Sequence, residues 1–283
     1  MKNKIYWFMW APGLWKTVAM NIAEHPENLK NIKETLWLEN DLTVGVVKKD
    51  TSRPNRWADD RLKRSGIPEE DFTNNKEKYV GEYILTNNGA KYAYHVDELN
   101  QEADILVAEP SIHHLSVMKA HLKDRLVVVL IAADTEYRKV RMNGRGTEEE
   151  SQVNKRVIEG DVQLYIASKL SWDDGEMLSK MIDPKGYEIY EEIFTSASDD
   201  AEATKKMEEY FLWLVGEDKF AKEATEEYFK MIRNNTKKGE NEKLFDHIIV
   251  RSLEKDELAG SNFLTEWDFR DNIVSVIKKH LSE

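Results

Sequence analysis

Four short apolar runs, separated by segments with helical spacing, constrain the fold of this chain more than any other feature. The runs are rich in β-branched and aromatic residues and do not alternate with polar ones, as expected of strands buried on both faces of a parallel sheet. They are Ile5–Met9, Leu42–Val47, Ile105–Ala108 and Leu126–Ala132. Helical patterns lie between and after them, at Lys16–Ala23, Asn28–Leu36, Ile112–Leu122 and Thr135–Met142. This alternation predicts βαβ crossovers, and therefore an α/β fold of three layers with a central parallel sheet.

The second half of the chain departs from this alternation. A polar, acidic stretch from about Thr147 to Glu242 contains apolar residues at spacings of three and four, which indicates amphipathic helices. A fifth strand candidate, Asp246–Ser252, comes only after it. We therefore expect a core domain formed by residues 1–146 and 243–283, with residues 147–242 as a helical lid and acidic insertion.

Composition narrows the functional classes. The 283 residues carry a net charge of −12, which disfavours nucleic acid and anionic membranes as partners. No cysteine is present, which excludes disulfides, thiolate metal sites and cysteine nucleophiles. No run reaches the roughly 18 apolar residues that a membrane span requires. We expect a cytoplasmic protein that does not bind membranes.

The segment after the first strand has the layout of a phosphate-binding loop. Such loops read G-x-x-x-x-G-K-[ST] between a strand and a helix, and here the frame reads WAPGLWKT, with Trp10 and Trp15 at the two glycine positions. In this interpretation the segment Gly13, Trp15, Lys16 and Thr17 contacts nucleotide phosphates, and the hydroxyl of Thr17 binds magnesium. The alternative is an aromatic turn in which Lys16 and Thr17 follow by chance.

Two further segments offer cations or phenols to a phosphate. In KKDTSRPNRW, Arg53 and Arg56 can converge on one phosphate as bidentate donors, although a solvated basic loop is the alternative. In NNGAKYAY, Tyr92 and Tyr94 can reach a phosphate or a sugar, although tyrosines on a strand usually belong to the core.

A third arginine-rich segment, RKVRMNGRGTEEESQVNKR, lies before and at the start of the acidic stretch. Arg141 and Arg145 lie on one side of a glycine-bearing break, and Arg156 follows one helix later. Arginines on a mobile segment suit phosphoryl transfer, because they neutralise the charge on the transferred group. An exposed helix with salt bridges is the alternative.

In this order, the segments resemble the guanylate kinase family of P-loop nucleoside monophosphate kinases. TSRPNR resembles the family's acceptor-phosphate motif, GAKYAY its tyrosine segment, and ADILVAEPS the end of its Walker-B-like strand. RGTEEESQVNKRV resembles its lid motif most closely, and LFDHIIVRS its closing strand. The resemblance covers roughly residues 1–170 and 243–283, whereas the long helical insertion is not a family feature and could enlarge the lid, bind a partner or support a homodimer.

The resemblance implies ATP-dependent phosphoryl transfer to a nucleoside or deoxynucleoside monophosphate, with ATP and Mg²⁺ as cofactors. It assigns the ATP phosphates and magnesium to Lys16 and Thr17. It assigns the monophosphate of the acceptor to Arg53, Arg56 and Tyr92.

The resemblance also implies that Arg145 and Arg156 close over the transferring phosphoryl group, with Arg141 as a companion. The chain departs from the family in its guanine-reading residues, because the family's glutamate corresponds to Leu85 and its aspartate to about Pro110. These departures argue against guanine specificity and leave pyrimidine or modified deoxynucleotides open as acceptors.

Glu109 is the carboxylate left at this strand end, as a ligand for magnesium or for a base edge. A second hypothesis follows from Trp10 and Trp15: a kinase-like protein with an impaired donor site that retains nucleotide or partner binding.

Overall fold

The computed structural model describes residues 4–10, 16–54, 62–84, 89–109, 112–144, 149–171, 173–235, 244–251 and 270–283. The strands, numbered along the chain, are β1 (Lys4–Trp10), β2 (Val44–Val47), β3 (Lys49–Thr51), β4 (Lys63–Ser65), β5 (Tyr79–Ile84), β6 (Lys91–His95), β7 (Ile105–Ala108), β8 (Leu126–Ala133) and β9 (His247–Arg251). The α-helices are α1 (Lys16–Glu24), α2 (Pro26–Thr35), α3 (Glu69–Asn74), α4 (Val96–Leu99), α5 (Leu115–Leu122), α6 (Thr135–Gly144), α7 (Glu150–Leu170), α8 (Gly175–Ser179), α9 (Pro184–Ser196), α10 (Asp200–Val215), α11 (Lys219–Asn235) and α12 (Arg270–Ser282).

Within the described residues, five strands form a central parallel sheet in the order β2-β7-β1-β8-β9. Strand β7 pairs in parallel with β1 on one side and with β2 on the other. These are the five strands that the sequence predicts, and helices flank them, so the predicted α/β fold class is confirmed. Every residue of β7 and β8 is buried, which explains why these segments read as unbroken apolar runs.

The strand order creates a topological switch point at β1. The chain leaves β1 toward β2 at one edge, returns to β7 beside β1, and then crosses to β8 on the opposite side of β1. In open α/β sheets, ligands bind outside the carboxyl ends of the strands at such a point. The strand order therefore predicts a ligand site at the segments that follow β1 and β7.

A second, smaller sheet has the order β4-β3-β6-β5 and was not predicted from the sequence. Its strands are short, and β3 reads Lys-Asp-Thr although all three of its residues are buried. Asp50 is buried because Arg64 of the neighbouring strand donates to both of its carboxylate oxygens, at 2.5 and 2.9 Å. The ion pair with Arg64 therefore allows Asp50 to be buried although its segment is polar.

The chain divides into two compact units. The first contains Met1–Met9, Trp15–Leu130 and Leu264–Glu283, and the second contains Trp10–Leu14 and Ile131–Phe263. In the first unit, the C-terminal helix α12 is held by long-range hydrogen bonds: Tyr6 Oη donates to the carbonyl of Ile277 at 3.3 Å, and Arg270 Nε donates to Asn28 Oδ1 at 2.7 Å.

The second unit is organised around α7, the longest helix in the described part of the chain, with 21 residues. The aromatic ring of Tyr165 on this helix packs against Phe229 on α11 and Tyr190 on α9, with centroid distances of 5.5 Å for both pairs. Helices α7 to α11 confirm that the stretch after the third arginine segment is helical. The predicted boundaries of an inserted domain at residues 147 and 242 stay a prediction. Among the described helices, none combines the length and apolar character that crossing a bilayer requires.

Candidate functional site

Lys16 and Thr17 are the first two residues of helix α1, which follows the central strand β1 after a connection of five residues. The backbone N–H groups of a first helical turn have no partner within the helix and carry the positive end of its dipole, so this position favours an anion. The predicted strand and helix on either side of the loop are thus present, at the switch point of the sheet. The side chains of Trp10, Lys16 and Thr17 lie outside the described part of the structure.

Several predicted residues fall outside the described ranges altogether. They are Gly13, Trp15, Arg56 and Arg145, together with Leu85 and Pro110, the positions at which the chain departs from the guanine-reading residues of the family. Their assignments stay predictions.

Arg53 and Tyr92 lie close together on the smaller sheet. Strand β3 pairs antiparallel with β6, so that Thr51 lies opposite Tyr92, and Arg53 follows two residues after Thr51. The connection is tied in place because Lys91 N donates to Ser52 Oγ at 2.9 Å and Arg53 N donates to Thr51 Oγ1 at 3.1 Å. The strand pairing therefore brings Arg53 and Tyr92, which are both predicted to bind the monophosphate of the acceptor, to one end of the β3–β6 pair.

The guanidinium group of Arg53 has a nitrogen without a hydrogen-bond partner among the described residues. This nitrogen, Nη2, is buried. A buried donor without a partner is costly, and such an atom in a native structure calls for an explanation, for example a binding site for an anion. An anion such as phosphate fits this donor, because arginine presents its N–H groups in a fork that matches phosphate oxygens.

Glu109 directly follows β7, at the carboxyl edge of the central sheet, and is buried. Its carbonyl oxygen accepts a hydrogen bond from the hydroxyl of Tyr94 at 2.9 Å. Tyr94 and Tyr92 are two residues apart on β6 and therefore share a face of the smaller sheet. The hydroxyl of Tyr94 therefore links the carboxyl edge of β7 to the smaller sheet within the first unit.

The structure adds two residues to this site that the sequence analysis did not select. His114 is buried against the rings of Trp7 and Tyr94, at centroid distances of 6.5 and 5.2 Å, and those two rings also contact each other. Lys49 lies opposite Tyr94 in the β3–β6 pairing and is also buried. Neither residue stands in a recognisable motif, and a lysine in a run of charges gives no sequence signal of burial.

A neighbouring tyrosine shows how this sheet is tuned. Burial, followed by the negative charge of Asp50 and a hydrogen bond to it, raises the pKa of Tyr79 to about 12. The phenol of Tyr79 is therefore less acidic than an exposed tyrosine.

Arg141 and Arg156 belong to the second unit. Arg141 lies in the last turn of α6, with its guanidinium carbon 5.9 Å from the ring centroid of Tyr137. Arg156 lies in the second turn of α7 and is partly exposed. The two helices are joined by a buried apolar cluster of Met142, Val153 and Val157.

A fully buried charged network also joins α6 to α7. The guanidinium of Arg138 donates to the carboxylate of Asp161, to Thr135 Oγ1 at 3.1 Å and to the carbonyl of Val157 at 3.0 Å. Because buried charges are tolerated only when they are paired and hydrogen-bonded, this network fixes the two helices against each other. Arg141 and Arg156 are consequently carried by one rigid helix pair.

Comparisons with known proteins add little to this description. No protein-family model matches the chain, and no curated protein sequence matches it. Among solved structures, the crystal structure of guanylate kinase from Anaplasma phagocytophilum is similar, with 9% sequence identity and a TM-score of 0.44, over 99% of this chain and 87% of that chain. A likeness at that level says nothing about activity or substrate, so the fold class rests on the strand order and the candidate site on its own residues.

Proposed function

We propose that the protein transfers a phosphoryl group from ATP to a nucleoside or deoxynucleoside monophosphate. The observation that carries the proposal is the position of Lys16 and Thr17, at the start of the helix that follows the central strand, at the switch point of a parallel sheet. A lysine and a hydroxyl residue at this position are the two side chains that a phosphate-binding loop contributes.

On the donor side, the N–H groups at the start of α1 hold the phosphates of ATP, and Lys16 neutralises their charge. The hydroxyl of Thr17 would hold a magnesium ion, which would supply further neutralisation of phosphate charge when bound. Among the described residues, no group of three or more His, Asp or Glu side chains could hold a metal ion. A magnesium ion held mainly by phosphates needs no such group.

On the acceptor side, Arg53 holds the monophosphate, with Arg56 and Tyr92 as further donors. The support is the buried Nη2 atom of Arg53, which lacks a hydrogen-bond partner among the described residues, and the proximity of Tyr92 in the strand pairing. Glu109, buried beside the hydroxyl of Tyr94, contributes a carboxylate toward the base or the metal. Without the family's guanine-reading residues, the acceptor base stays open.

The lid arginines are assigned by the resemblance and by their setting. Arg141 and Arg156 lie on the helix pair that Arg138 and Asp161 join, and Arg145 lies in the connection between those helices. We assign to all three the neutralisation of the transferring phosphoryl group. We likewise assign residues 147–242 to the lid and insertion, and a homodimer through this region remains a prediction.

The transfer requires positioning and electrostatics rather than a covalent intermediate on the protein. An oxygen of the acceptor monophosphate attacks the terminal phosphorus of ATP in line with the departing ADP oxygen, so one P–O bond forms as the other breaks. The residues assigned above hold the two phosphates, shield their mutual repulsion and exclude water.

The proposal is tested by measuring ADP release with a panel of ribonucleoside and deoxyribonucleoside monophosphates. Arg53→Gln should raise the acceptor KM by roughly 10- to 100-fold, because a hydrogen bond to a charged group contributes about 1.5–3 kcal/mol. Lys16→Met should lower kcat and leave acceptor binding intact. Lys76→Gln removes one charge from an exposed position of the first unit and should change neither constant.

The two hypotheses give different outcomes. Acceptor-dependent turnover with a selective effect of Arg53→Gln supports the kinase. Monophosphate binding without ATP binding, together with ATP binding gained in a Trp10→Gly, Trp15→Gly double variant, supports the impaired-donor alternative. If calorimetry shows that no nucleoside monophosphate binds the unaltered protein, the kinase proposal and the nucleotide-binding form of the alternative are both wrong.

A further inference from the structure

Helices α7, α8 and α9 and the first residue of α10 border an open cavity of about 770 Å³ in the second unit, which the proposed function does not use. Its lining combines aromatic rings, hydroxyl groups and one lysine. The lysine is Lys169, in the last turn of α7, and the rings belong to Tyr187, Tyr190 and Phe194 on α9. The volume is sufficient for an aromatic molecule of one or two rings.

The three rings of α9 form a continuous stripe. Tyr187 and Tyr190 are stacked with an interplanar angle of 13°, and Tyr190 and Phe194 are stacked with their centroids 4.5 Å apart. Two hydroxyl-bearing residues, Ser168 and Ser179, lie on the buried side of the cavity, where Ser168 Oγ donates to the carbonyl of Tyr165 at 2.6 Å and Ser179 Oγ donates to the carbonyl of Glu176 at 2.8 Å. A stripe of this kind presents flat apolar surface with a polar end, which suits a planar aromatic ligand.

Lys169 differs from the other lysines near this cavity. Its Nζ atom lies 3.4 Å from the ring centroid of Phe194, and no carboxylate of the described residues lies within ion-pair distance of it. By contrast, Lys180 on the neighbouring turn is exposed and bonded to Glu176 at 2.7 Å. The amine of Lys169 therefore lies against the face of one aromatic ring and has no ion-pair partner among the described residues.

This setting changes the protonation of the amine. Burial lowers the pKa of Lys169 to about 8, opposed only in part by the negative charge of Asp200. The other titratable groups that line the cavity are Glu176 on α8 and Tyr187, Tyr190 and Glu191 on α9. At pH 7.4 a pKa of about 8 leaves roughly 200 times more neutral amine than the usual lysine value of about 10.4.

The charges around the cavity select among ligands. Glu176, Glu191 and Asp200 make the lining acidic, which disfavours an anionic ligand. A neutral amine beside an aromatic wall is the arrangement that captures a carbonyl carbon, because the nitrogen lone pair is the nucleophile. We propose that this cavity is a binding and modification site for planar aromatic aldehydes, in which Lys169 forms an imine with the bound carbonyl group.

The reaction balances without a further reactant. The neutral amine adds to the carbonyl carbon, and the carbonyl oxygen takes up a proton as the nitrogen loses one. The resulting hydroxyl then takes up a second proton and leaves as water, while nitrogen loses its remaining proton. One amine and one aldehyde therefore give one imine and one water, and no oxidant or reductant is consumed.

The test uses the full-length protein with 2-hydroxybenzaldehyde, with cyanoborohydride added to reduce any imine to a stable amine, and peptide mapping by mass spectrometry. At pH 7.4, Lys169 should be modified at least 10-fold faster than Lys180, with a rate that rises through a midpoint near pH 8. Equal modification of the two lysines, or a midpoint above pH 10, would overturn the proposal.

A second measurement tests the aromatic wall. Phe194→Leu should lower the ratio of modification by 2-hydroxybenzaldehyde to modification by propanal at least threefold, whereas Tyr210→Leu, outside the cavity lining, should leave the ratio unchanged. Circular dichroism is used to check that each variant is folded. A ratio that is unchanged in folded Phe194→Leu protein would contradict aromatic recognition. The peptide mapping of the unaltered protein tests imine formation even if a variant does not fold.

Discussion

Gly81 offers a sharp test of the packing around the candidate site. It lies at an irregularity in the β5–β6 pairing and has a φ of +71°, a conformation that L side chains rarely adopt. A Cβ atom added here would lie 2.8 Å from Cδ2 of His114. That ring is buried in a cluster with Trp7 and Tyr94, which leaves it little room to move.

Gly66 provides a matched control, because its φ is +75° but a Cβ atom there would meet nothing within 4 Å. Gly66→Ala should cost about 1–2 kcal/mol, the strain of a side chain in this conformation. Gly81→Ala should cost the same strain plus about 1–3 kcal/mol for forcing an extra group into a packed core. The expected difference between the two variants is therefore about 1–3 kcal/mol.

Urea unfolding, followed by tryptophan fluorescence, measures both variants against the unaltered protein. In a His114→Ala background the ring is gone, and the extra cost of Gly81→Ala over Gly66→Ala should disappear. Equal free energies of unfolding for Gly81→Ala and Gly66→Ala would refute the reasoning, because they would mean that the histidine ring yields freely.

Two further predictions concern the second unit. Arg138→Met should lower the free energy of unfolding by about 3–5 kcal/mol, because it leaves the carboxylate of Asp161 buried without its partner. Lys155→Met, which breaks a partly exposed ion pair, should cost no more than about 1 kcal/mol, and similar losses for the two variants in urea unfolding would contradict the assigned role of the network. Hydrogen bonds from Ser198, followed by Lys206, lower the pKa of Glu202 to about 2. A carboxyl group with a lowered pKa stabilises the fold above its unfolded pKa, and this contribution is lost as the pH falls toward 2. Ser198→Ala removes the hydroxyl donor and keeps the backbone N–H, so NMR titration should show a partial rise in the pKa of Glu202, and an unchanged value would exclude the hydroxyl hydrogen bond as a cause.

The candidate site was predictable from sequence only where a residue belongs to a motif. Lys16 and Thr17 were selected by their place after an apolar strand, and Arg53 by its arginine-rich segment. His114 and Lys49 carry no such signal. The burial of Lys49 depends on a strand pairing with Tyr94, more than forty residues away, and that of His114 on packing against Trp7 and Tyr94. In the sequence, Lys169 resembles any other lysine near the end of a helix. Its partial burial depends on the packing of Phe194 on α9 against α7.

The sequence by itself determined the central sheet and the helical character of the acidic stretch. Strands buried on both faces must be continuously apolar, and amphipathic helices must repeat their apolar residues every three or four positions. Both elements can therefore be recognised from the local sequence pattern. The smaller sheet, the Arg138–Asp161 network and the aromatic cavity were decided only by tertiary structure. They depend on charged and aromatic side chains whose burial is stabilised by partners distant in sequence, and no local pattern specifies which partners will meet.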